Sequence, residues 1–260
     1  MTMGTVEAMQ DAVLAWYGEN GRDLPWRKTR DPYAILVSEV MLQQTQVSRV
    51  VPRYLAWLER WPDAAALAAA PPAAVIEAWS GLGYNRRAVN LHRCAQAVTE
   101  RGGFPRDQAG LRALPGVGPY TAAAIACFAF GDQVAAPDVN ARRVLSRAFG
   151  DPDLAPPPGR AYEWNQALFD LGSGICIARR PRCELCPLAA GCPSAGMTFA
   201  PLRKQSRFEG SFRQRRSAVL KRLVASQSVA VADLDDSEAL DALIADGLAE
   251  VSAGVATLPG

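Results

Sequence analysis

Hydrophobic residues recur at helical spacing along most of the chain. One such stretch lies within residues 9–17 and a longer one within residues 47–58. Because side chains three or four positions apart share one face of an α-helix, this spacing predicts amphipathic helices. No alternating strand pattern occurs before residue 200. The pattern therefore predicts an all-α fold for residues 1–200, built from about ten short helices.

The pattern changes after residue 200. Residues 201–216 are polar and basic, which is typical of a linker. The segments that follow are helix-like (217–225), β-prone (229–231), helix-like again (237–247) and finally two β-prone runs within 248–258. Two helices followed by a terminal hairpin predict a small winged-helix-like module. A helical packing appendage is the alternative that this pattern leaves open.

Composition and charge are those of an ordinary soluble protein. Of 260 residues, 49% are hydrophobic and 21% are charged, and no apolar run approaches the roughly 20 residues of a membrane span. The N-terminus lacks the basic region and cleavage site of a signal peptide, so we expect a cytosolic protein. A net charge of +2 does not demand a nucleic-acid partner. Arginine dominates the basic residues, which suits phosphate contacts but also follows from a GC-rich genome.

Four of the six cysteines are grouped with the spacing C-x6-C-x2-C-x5-C; they are Cys176, Cys183, Cys186 and Cys192. In a cytosolic chain such density indicates a metal site rather than disulfides. Four thiolates suit a [4Fe-4S] cluster or zinc. Only one C-x2-C pair is present, whereas two such pairs favour zinc. The spacing therefore favours a [4Fe-4S] cluster and leaves zinc open.

The cysteine loop also contains Arg179, Arg180 and Arg182. A cluster held by four thiolates carries net negative charge, so nearby cations stabilise it and can also reach DNA phosphates. The alternative is that the metal only cross-links the C-terminal end of the domain and has no redox role. The other two cysteines, Cys94 and Cys127, lie in apolar helical stretches and are predicted to be core thiols.

Residues 114–122 read Leu-Pro-Gly-Val-Gly-Pro-Tyr-Thr-Ala, a tight turn leading directly into a helix. Gly116 and Gly118 allow the backbone to approach a partner closely, and Pro119 suits the first turn of a helix. The N–H groups of Gly116, Val117 and Gly118, together with the helix dipole, then form an anion site for a DNA phosphate. A plain helix-loop-helix is the alternative for this turn taken alone.

A set of motifs together indicates a family. Asp138 lies about twenty residues beyond the turn, where on its own it is a natural helix N-cap. The LPGVGPYT turn, Asp138 and the cysteine loop resemble the helix-hairpin-helix DNA glycosylase superfamily. LPWR at 24–27, SEVMLQQTQV at 38–47 and WSGLGY at 79–84, followed by Arg87, are similar to the MutY family of adenine glycosylases. The resemblance covers about residues 10–195.

The resemblance implies a catalytic mechanism. Enzymes of this kind flip a base from the duplex and cleave its glycosidic bond through an oxocarbenium-like transition state. Glu39 matches the general acid that protonates adenine and then handles the water, and its apolar neighbours should raise its pKa. Asp138 matches the carboxylate that stabilises the sugar cation. Tyr120 stands where endonuclease III-type enzymes carry a Schiff-base lysine, so we expect a monofunctional glycosylase.

The same resemblance implies two groups of binding residues. The residues that line the adenine pocket are Arg22, Leu24, Trp26 and Asp170. The residues that fill the space left by the base and probe the opposite strand are Gln43, Gln44 and Tyr84. For Trp26 the simple alternative is core packing, and for the two glutamines it is solvation.

The chain departs from the resemblance after the cysteine loop. Many MutY proteins carry a Nudix-like domain that reads 8-oxoguanine, and the roughly 60 residues left here are too short for it. Either the tail substitutes for that domain or the enzyme depends less on the opposite base. Short relatives with Tyr at the turn include thymine–DNA mismatch glycosylases, so removal of thymine, uracil or modified uracil is the alternative. A non-catalytic iron–sulfur protein would lack a carboxylate, whereas Glu39 and Asp138 are both present.

These observations predict a helix-hairpin-helix glycosylase in residues 1–200. A six-helix barrel is expected over about 27–130, with an iron–sulfur domain from 1–26 and 131–200 and a linker and winged-helix-like module in 201–260. The expected partner is double-stranded DNA with a mismatched or damaged base. We expect a monomer in the cytoplasm, associated with the nucleoid and not with a membrane.

Overall fold

The computed structural model describes residues 3–200 and 207–260. In the first of these ranges the α-helices are α1 (Met3–Asn20), α2 (Pro32–Leu42), α3 (Val47–Arg60), α4 (Ala64–Ala68), α5 (Pro72–Trp79), α6 (Arg86–Glu100), α7 (Gln108–Arg112), α8 (Pro119–Phe130), α9 (Val139–Phe149) and α10 (Ala161–Asp170). The predicted all-α fold is therefore confirmed for the described residues before position 200. None of the helices in the described ranges is both long and apolar enough to cross a membrane.

Helix ends follow from a few local residues. α8 has Pro119 in its first turn and ends at Gly131, which has φ +79°. α9 begins after the cap Asp138 and ends at Gly150, with φ +76°. Proline is compatible with a helix start and glycine adopts the left-handed end conformation without a Cβ penalty. These ends were predictable from the sequence.

The chain divides into two compact units. Of the described residues, the first unit holds 3–35, 106–112 and 118–200, and the second holds 36–105, 113–117 and 207–260. This division differs from the predicted domains, because α8 groups with the helices of the cysteine loop and the tail groups with the barrel helices.

The core of the first unit is built by α1, α9 and α10 around the fully buried Trp164. Met9, Val13 and Leu14 of α1 pack with the apolar faces of the other two helices, and Leu188 of the cysteine loop joins them. Gly191 in that loop passes so close to Met9 that an added Cβ would lie 2.8 Å from its sulfur. The cysteine loop is thus held directly on α1.

The tail of the second unit contains α11 (Phe212–Ser226), β1 (Ser228–Ala230), α12 (Ser237–Ala245), β2 (Glu250–Ser252) and β3 (Val255–Thr257). The strands form an antiparallel sheet in the order β1-β3-β2. Ala253 and Gly254, both with positive φ, form the tight turn between β2 and β3. This order of elements is the predicted winged-helix-like one.

The tail shares its core with the barrel helices. Ile76 of α5 is buried in the same cluster as Leu220 and Leu240 of the tail, and the N–H of Ala73 donates to the carbonyl of Pro259 at 3.1 Å. This shared burial explains why the tail does not form a separate unit. The predicted linker 201–216 is shorter than expected, because α11 already begins at Phe212 behind its cap Ser211. Residues 201–206 lie outside the described residues.

Candidate active-site residues and cluster loop

Glu39 lies in the second unit on α2, a helix that is apolar on all sides. It is 7% exposed, and its neighbours Val37, Val40 and Met41 are at most 5% exposed. The carboxyl group in this setting is therefore largely shielded from water. Glu39 and these apolar neighbours on α2 are thus buried together, as the sequence led us to expect.

Asp138 lies in the first unit and caps α9. Its Oδ1 accepts hydrogen bonds from the N–H groups of Asn140 at 3.0 Å and Ala141 at 2.7 Å, and its Oδ2 accepts from Nδ2 of Asn140 at 3.0 Å. The side chain is half-buried. Three donors fix its orientation, so the capping expected from the sequence also aims the carboxylate.

Asn140 links Asp138 to the cysteine loop through Arg143. Oδ1 of Asn140 accepts from Nη1 of Arg143 at 3.0 Å. Arg143 also donates from Nε to the carbonyl of Cys176 at 2.8 Å and from Nη2 to that of Gly172 at 2.7 Å. Gly172 has no room for a side chain, since an added Cβ would lie 2.9 Å from the Asn140 backbone. Sequence reasoning missed Asn140 and Arg143; only their place directly after Asp138 hinted at a role.

The four cysteines of the loop line one cavity. The other lining side chains are largely apolar, among them Val144, Ile175 and Leu188. Among the described residues, no three His, Cys, Asp or Glu side chains are close enough to hold a single metal ion, and the four thiols instead surround a space. Four thiols around an apolar space form a donor set that fits a [4Fe-4S] cluster.

Cations and N–H groups supplement the four thiols. Nη1 of Arg147 lies 3.5 Å from Sγ of Cys176, and the N–H of Gly196 lies 3.3 Å from Sγ of Cys183. Such donors stabilise thiolate charge. The guanidinium of Arg147 also stacks 3.5 Å from the ring centroid of Phe199. Arg147 was not singled out from the sequence. Exposed arginines are also present in the loop, namely the predicted Arg179, Arg180 and Arg182.

Asp170 forms a buried ion pair with two arginines. Its side chain is 3% exposed and accepts from Nε of Arg22 at 2.6 Å and from Arg27 at 2.8 and 2.9 Å. Burial alone would raise the pKa of Asp170, but the hydrogen bonds and charges of Arg27 and Arg22 outweigh it and hold that pKa below its usual range. Leu24 and Trp26, between these arginines, are each 7% exposed. Asp170 thus anchors the segment predicted to line the adenine pocket. Sequence reasoning quoted Arg27 within the LPWR motif but gave it no role of its own.

Gln43, Gln44 and Tyr84 lie in two loops of the second unit. Gln43 is half-buried, Gln44 is exposed, and Tyr84 is 46% exposed. Gln44 and Tyr84 have φ of +54° and +47°, a conformation rare for residues with a side chain. Strained residues of this kind concentrate at functional sites.

The glycine turn before α8 has its predicted shape. Gly116 has φ +74°, and an added Cβ would lie 2.7 Å from Cβ of Asn90. Gly118 is exposed and forms the N-cap of α8. Val117 differs from expectation, because its side chain is buried and its N–H donates to Leu114 at 3.1 Å. Val117 therefore anchors the turn, and its N–H is used within it.

Tyr120 and the remaining cysteines are accounted for within the fold. Tyr120, half-buried in the first turn of α8, meets Phe169 edge-on with the ring centroids 6.3 Å apart. Burial raises the pKa of the Cys94 thiol to about 12 and that of Cys127 to about 11. Both cysteines are buried, which confirms that they are core thiols.

Comparison with known proteins places these features in a family context. Residues 37–163 match the model of the HhH-GPD superfamily of base excision DNA repair proteins. Residues 176–192 match the iron–sulfur binding domain of endonuclease III. The second match coincides with the cysteine loop and supports a [4Fe-4S] cluster as the cofactor.

Individual relatives extend the similarity beyond these segments. The adenine DNA glycosylase of Mycolicibacterium smegmatis is 43% identical over 274 aligned positions, covering 93% of this chain and 92% of the relative. The human adenine DNA glycosylase is 41% identical, covering 72% of this chain and 39% of the relative. A solved structure of a thermostable thymine-DNA glycosylase superposes with a TM-score of 0.67 at 31% identity, covering 73% of this chain and 96% of that one.

Proposed function

We propose that this chain removes adenine mispaired with 8-oxoguanine or guanine in double-stranded DNA. The chain belongs to the HhH-GPD superfamily of base excision DNA repair proteins and, within it, to the adenine DNA glycosylase family. The observation that carries the proposal is the 43% identity to an adenine DNA glycosylase over 92% of that relative. The alignment covers 93% of this chain, so it extends beyond the cysteine loop into the tail.

Glu39 is the proposed general acid. Its carboxyl group donates a proton to the adenine ring, which turns a poor leaving group into a neutral one, and the resulting carboxylate then accepts a proton from the attacking water. Burial on the apolar α2 supports this role, since a general acid must hold its proton near neutral pH.

Asp138 is the proposed stabiliser of the sugar cation. As the C–N bond breaks, positive charge develops on the sugar ring, and a nearby carboxylate lowers the energy of that state. The three hydrogen bonds that Asp138 accepts leave little reorganisation to be done during the reaction. Gly118 and the start of α8 are proposed to bind a backbone phosphate.

Substrate recognition is proposed to involve two groups of residues. Arg22, Leu24 and Trp26, held in place through Asp170, line the adenine pocket. Gln43, Gln44 and Tyr84 enter the duplex and probe the opposite strand. The left-handed backbone conformation of Gln44 and Tyr84, and the exposure of both residues, support the second assignment.

The cysteine loop is proposed to serve DNA binding. When bound by Cys176, Cys183, Cys186 and Cys192, a [4Fe-4S] cluster supplies a rigid and charged centre for the loop. The task of the loop is then to hold Arg179, Arg180 and Arg182 against the DNA backbone, and the loop itself takes no part in base removal. We propose that the protein acts as a monomer in the cytoplasm, associated with the nucleoid.

The test is a single-turnover glycosylase assay on duplexes containing A:8-oxoG, A:G, T:G, U:G and hydroxymethyl-U:G. Glu39→Gln and Asp138→Asn preserve shape, and Asn can still cap α9, so each variant should fold and lose activity by a factor of about 100 or more. Glu59→Gln is the control: it makes the same carboxylate-to-amide change at an exposed position on α3 and should keep the wild-type rate. Cleavage of the pyrimidine substrates only would show that the adenine assignment is wrong, and full activity of either variant would remove its residue from the mechanism.

A second assay tests the monofunctional assignment. Tyr120 cannot form a Schiff base with the abasic sugar, and Lys28 is the only lysine before residue 204. Borohydride should therefore trap no covalent enzyme–DNA adduct at a rate comparable to base removal. Rapid trapping would contradict the assignment.

A further inference from the structure

Two loops of the second unit hold strained residues. Gln44 follows the end of α2, and Tyr84 lies just before α6; both have a left-handed backbone. A residue with a Cβ keeps this conformation only where its surroundings enforce it. Gly81 and Gly83, with φ of +91° and +76°, give the second loop its sharp turns. Something must hold both loops in these conformations.

Arg87, in the first turn of α6, binds the first loop. Its Nη1 donates to three carbonyl oxygens, those of Val40 at 2.6 Å, Met41 at 3.1 Å and Gln43 at 2.7 Å. Carbonyls at the end of a helix lack intrahelical donors and carry partial negative charge, so a guanidinium there satisfies and terminates α2. The position of Gln43 is thereby set by Arg87.

The same guanidinium binds the second loop. Nη2 of Arg87 donates to the carbonyl of Gly83 at 3.0 Å and to Oγ1 of Thr45 at 3.3 Å, and Nε donates to the carbonyl of Tyr84 at 3.4 Å. The guanidinium carbon Cζ of Arg87 lies 5.1 Å from the ring centroid of Trp79. The indole N–H of Trp79 also donates to the carbonyl of Gly83, at 3.1 Å. A single side chain therefore joins two loops that are about forty residues apart in sequence.

The charge of Arg87 has no acidic partner in the described part of the chain. The residue is 9% exposed, and its guanidinium donates hydrogen bonds to carbonyl and hydroxyl oxygens. Burial lowers its pKa to about 10, so it remains protonated at neutral pH. Burying a charge without a counter-ion is costly, and an apolar side chain would fill the position at lower cost. What the guanidinium adds is a fixed geometry for several acceptors at once.

We propose that Arg87 is a positioning residue for reading the opposite strand: it holds Gln43, Gln44 and Tyr84 as one rigid unit, and the preference for 8-oxoguanine over guanine opposite adenine depends on that rigidity. This inference rests on the proposed function. Rigid loops reject a partner base that does not fit, whereas mobile loops adapt to both bases and discriminate less.

Arg87→Lys tests the inference. The ammonium of lysine has three donors and cannot reach both loops in the planar pattern of a guanidinium. Single-turnover rates are measured on A:8-oxoG and A:G duplexes, and the ratio of the two rates is the readout. We expect Arg87→Lys to lower the A:8-oxoG rate about tenfold and the A:G rate less than about twofold, as loss of positioning predicts. Arg93→Lys, an exposed position on the same helix, is the matched control and should leave the ratio unchanged.

The outcomes separate positioning from general stabilisation. If a folded Arg87→Lys loses both rates by the same factor, or neither, the inference is overturned. Thr45→Val keeps the shape of the side chain but removes the hydroxyl, which accepts from Nη2 of Arg87 at 3.3 Å and donates to the carbonyl of Gln43 at 3.2 Å, and it should lower the ratio about threefold. An unchanged ratio in Thr45→Val overturns the inference even if Arg87→Lys does not fold. If wild type cuts neither adenine duplex, the proposed function itself is wrong. That result comes from wild type alone, so it is distinct from an unchanged rate ratio in the variants.

Discussion

Asp170→Asn is the most informative test of how the predicted adenine pocket is held. The carboxylate accepts four hydrogen bonds, two each from Arg22 and Arg27, in a position with a side-chain exposure of 3%. Asparagine keeps the shape but removes the negative charge. Its amide nitrogen must also face a guanidinium donor, which leaves Arg27, itself 7% exposed at the side chain, as a buried and unpaired cation.

The expected cost follows from this burial. Breaking a buried ion pair by removing one partner destabilises a protein by about 3–5 kcal/mol. For a chain of this size, each kcal/mol shifts Tm by about 2–4 °C, so Tm should fall by about 6–20 °C. Because Asp170 fixes the segment that contains Trp26, we also expect weaker binding of an A:8-oxoG duplex. Thermal unfolding and duplex titration measure the two effects.

The pH dependence provides an independent check. The pKa of Asp170 is lowered in the folded state, so the stability it contributes is fully present above its unfolded pKa, which is about 3.9. That contribution is lost as pH falls through the lower folded value. Wild type should therefore lose stability steeply below about pH 4, and the slope should be shallower in Asp170→Asn.

An exposed ion pair nearby serves as the control. Asp23 contacts Lys28 at 2.8 Å with side-chain exposures of 77% and 65%. Asp23→Asn should cost less than about 1 kcal/mol, as exposed pairs do. The double variant Asp170→Leu with Arg27→Met should recover most of the loss, since it removes the two buried charges and leaves only Arg22, whose side chain is 37% exposed. If Asp170→Asn costs no more than Asp23→Asn, the argument from buried charge fails.

Three further predictions concern the cysteine loop and the core. Arg143→Met breaks the link from Cys176 to Asn140 and should slow adenine removal about tenfold while the visible absorbance of the cluster is retained; an unchanged rate would show that the link has no catalytic role. Chelation of iron should bleach the absorbance and abolish DNA binding while helical circular dichroism is largely kept, and intact binding would contradict the role given to the loop arginines. Native Cys94 and Cys127 should resist iodoacetamide at pH 8, because thiols with pKa values of about 12 and 11 hold almost no thiolate; mass spectrometry of labelled peptides measures this.

Local features of the fold were accessible from sequence. The proline and glycine at the two ends of α8, the capping aspartate of α9 and the tight turn at Ala253-Gly254 each act through residues next to one another. The cysteine spacing likewise indicated a metal loop, because all four thiols lie on one short segment. In these cases the physical cause is contained in a few consecutive residues.

Contacts between distant residues were not accessible in this way. Arg27 and Asp170 are separated by 143 positions, and Arg87 and Val40 by 47. A sequence pattern shows that an arginine is present but not which carboxylate or carbonyl it meets. Trp26 is a similar case, since its hydrophobicity predicted either stacking or burial and the folded chain made it 7% exposed.

The sequence by itself determined the helical class, the helix ends, the cluster loop and, through the motifs around Glu39 and Asp138, the family. These depend on local periodicity, capping and spacing, which are properties of neighbouring residues. Only the tertiary structure decided that Asp138 is joined to Cys176 through Asn140 and Arg143, that Asp170 is bound by Arg22 and Arg27, and that Arg87 holds two loops together. The contacts in these sets that join residues far apart in sequence exist because folding brings their polar groups together where little water reaches them, and there they pair with one another.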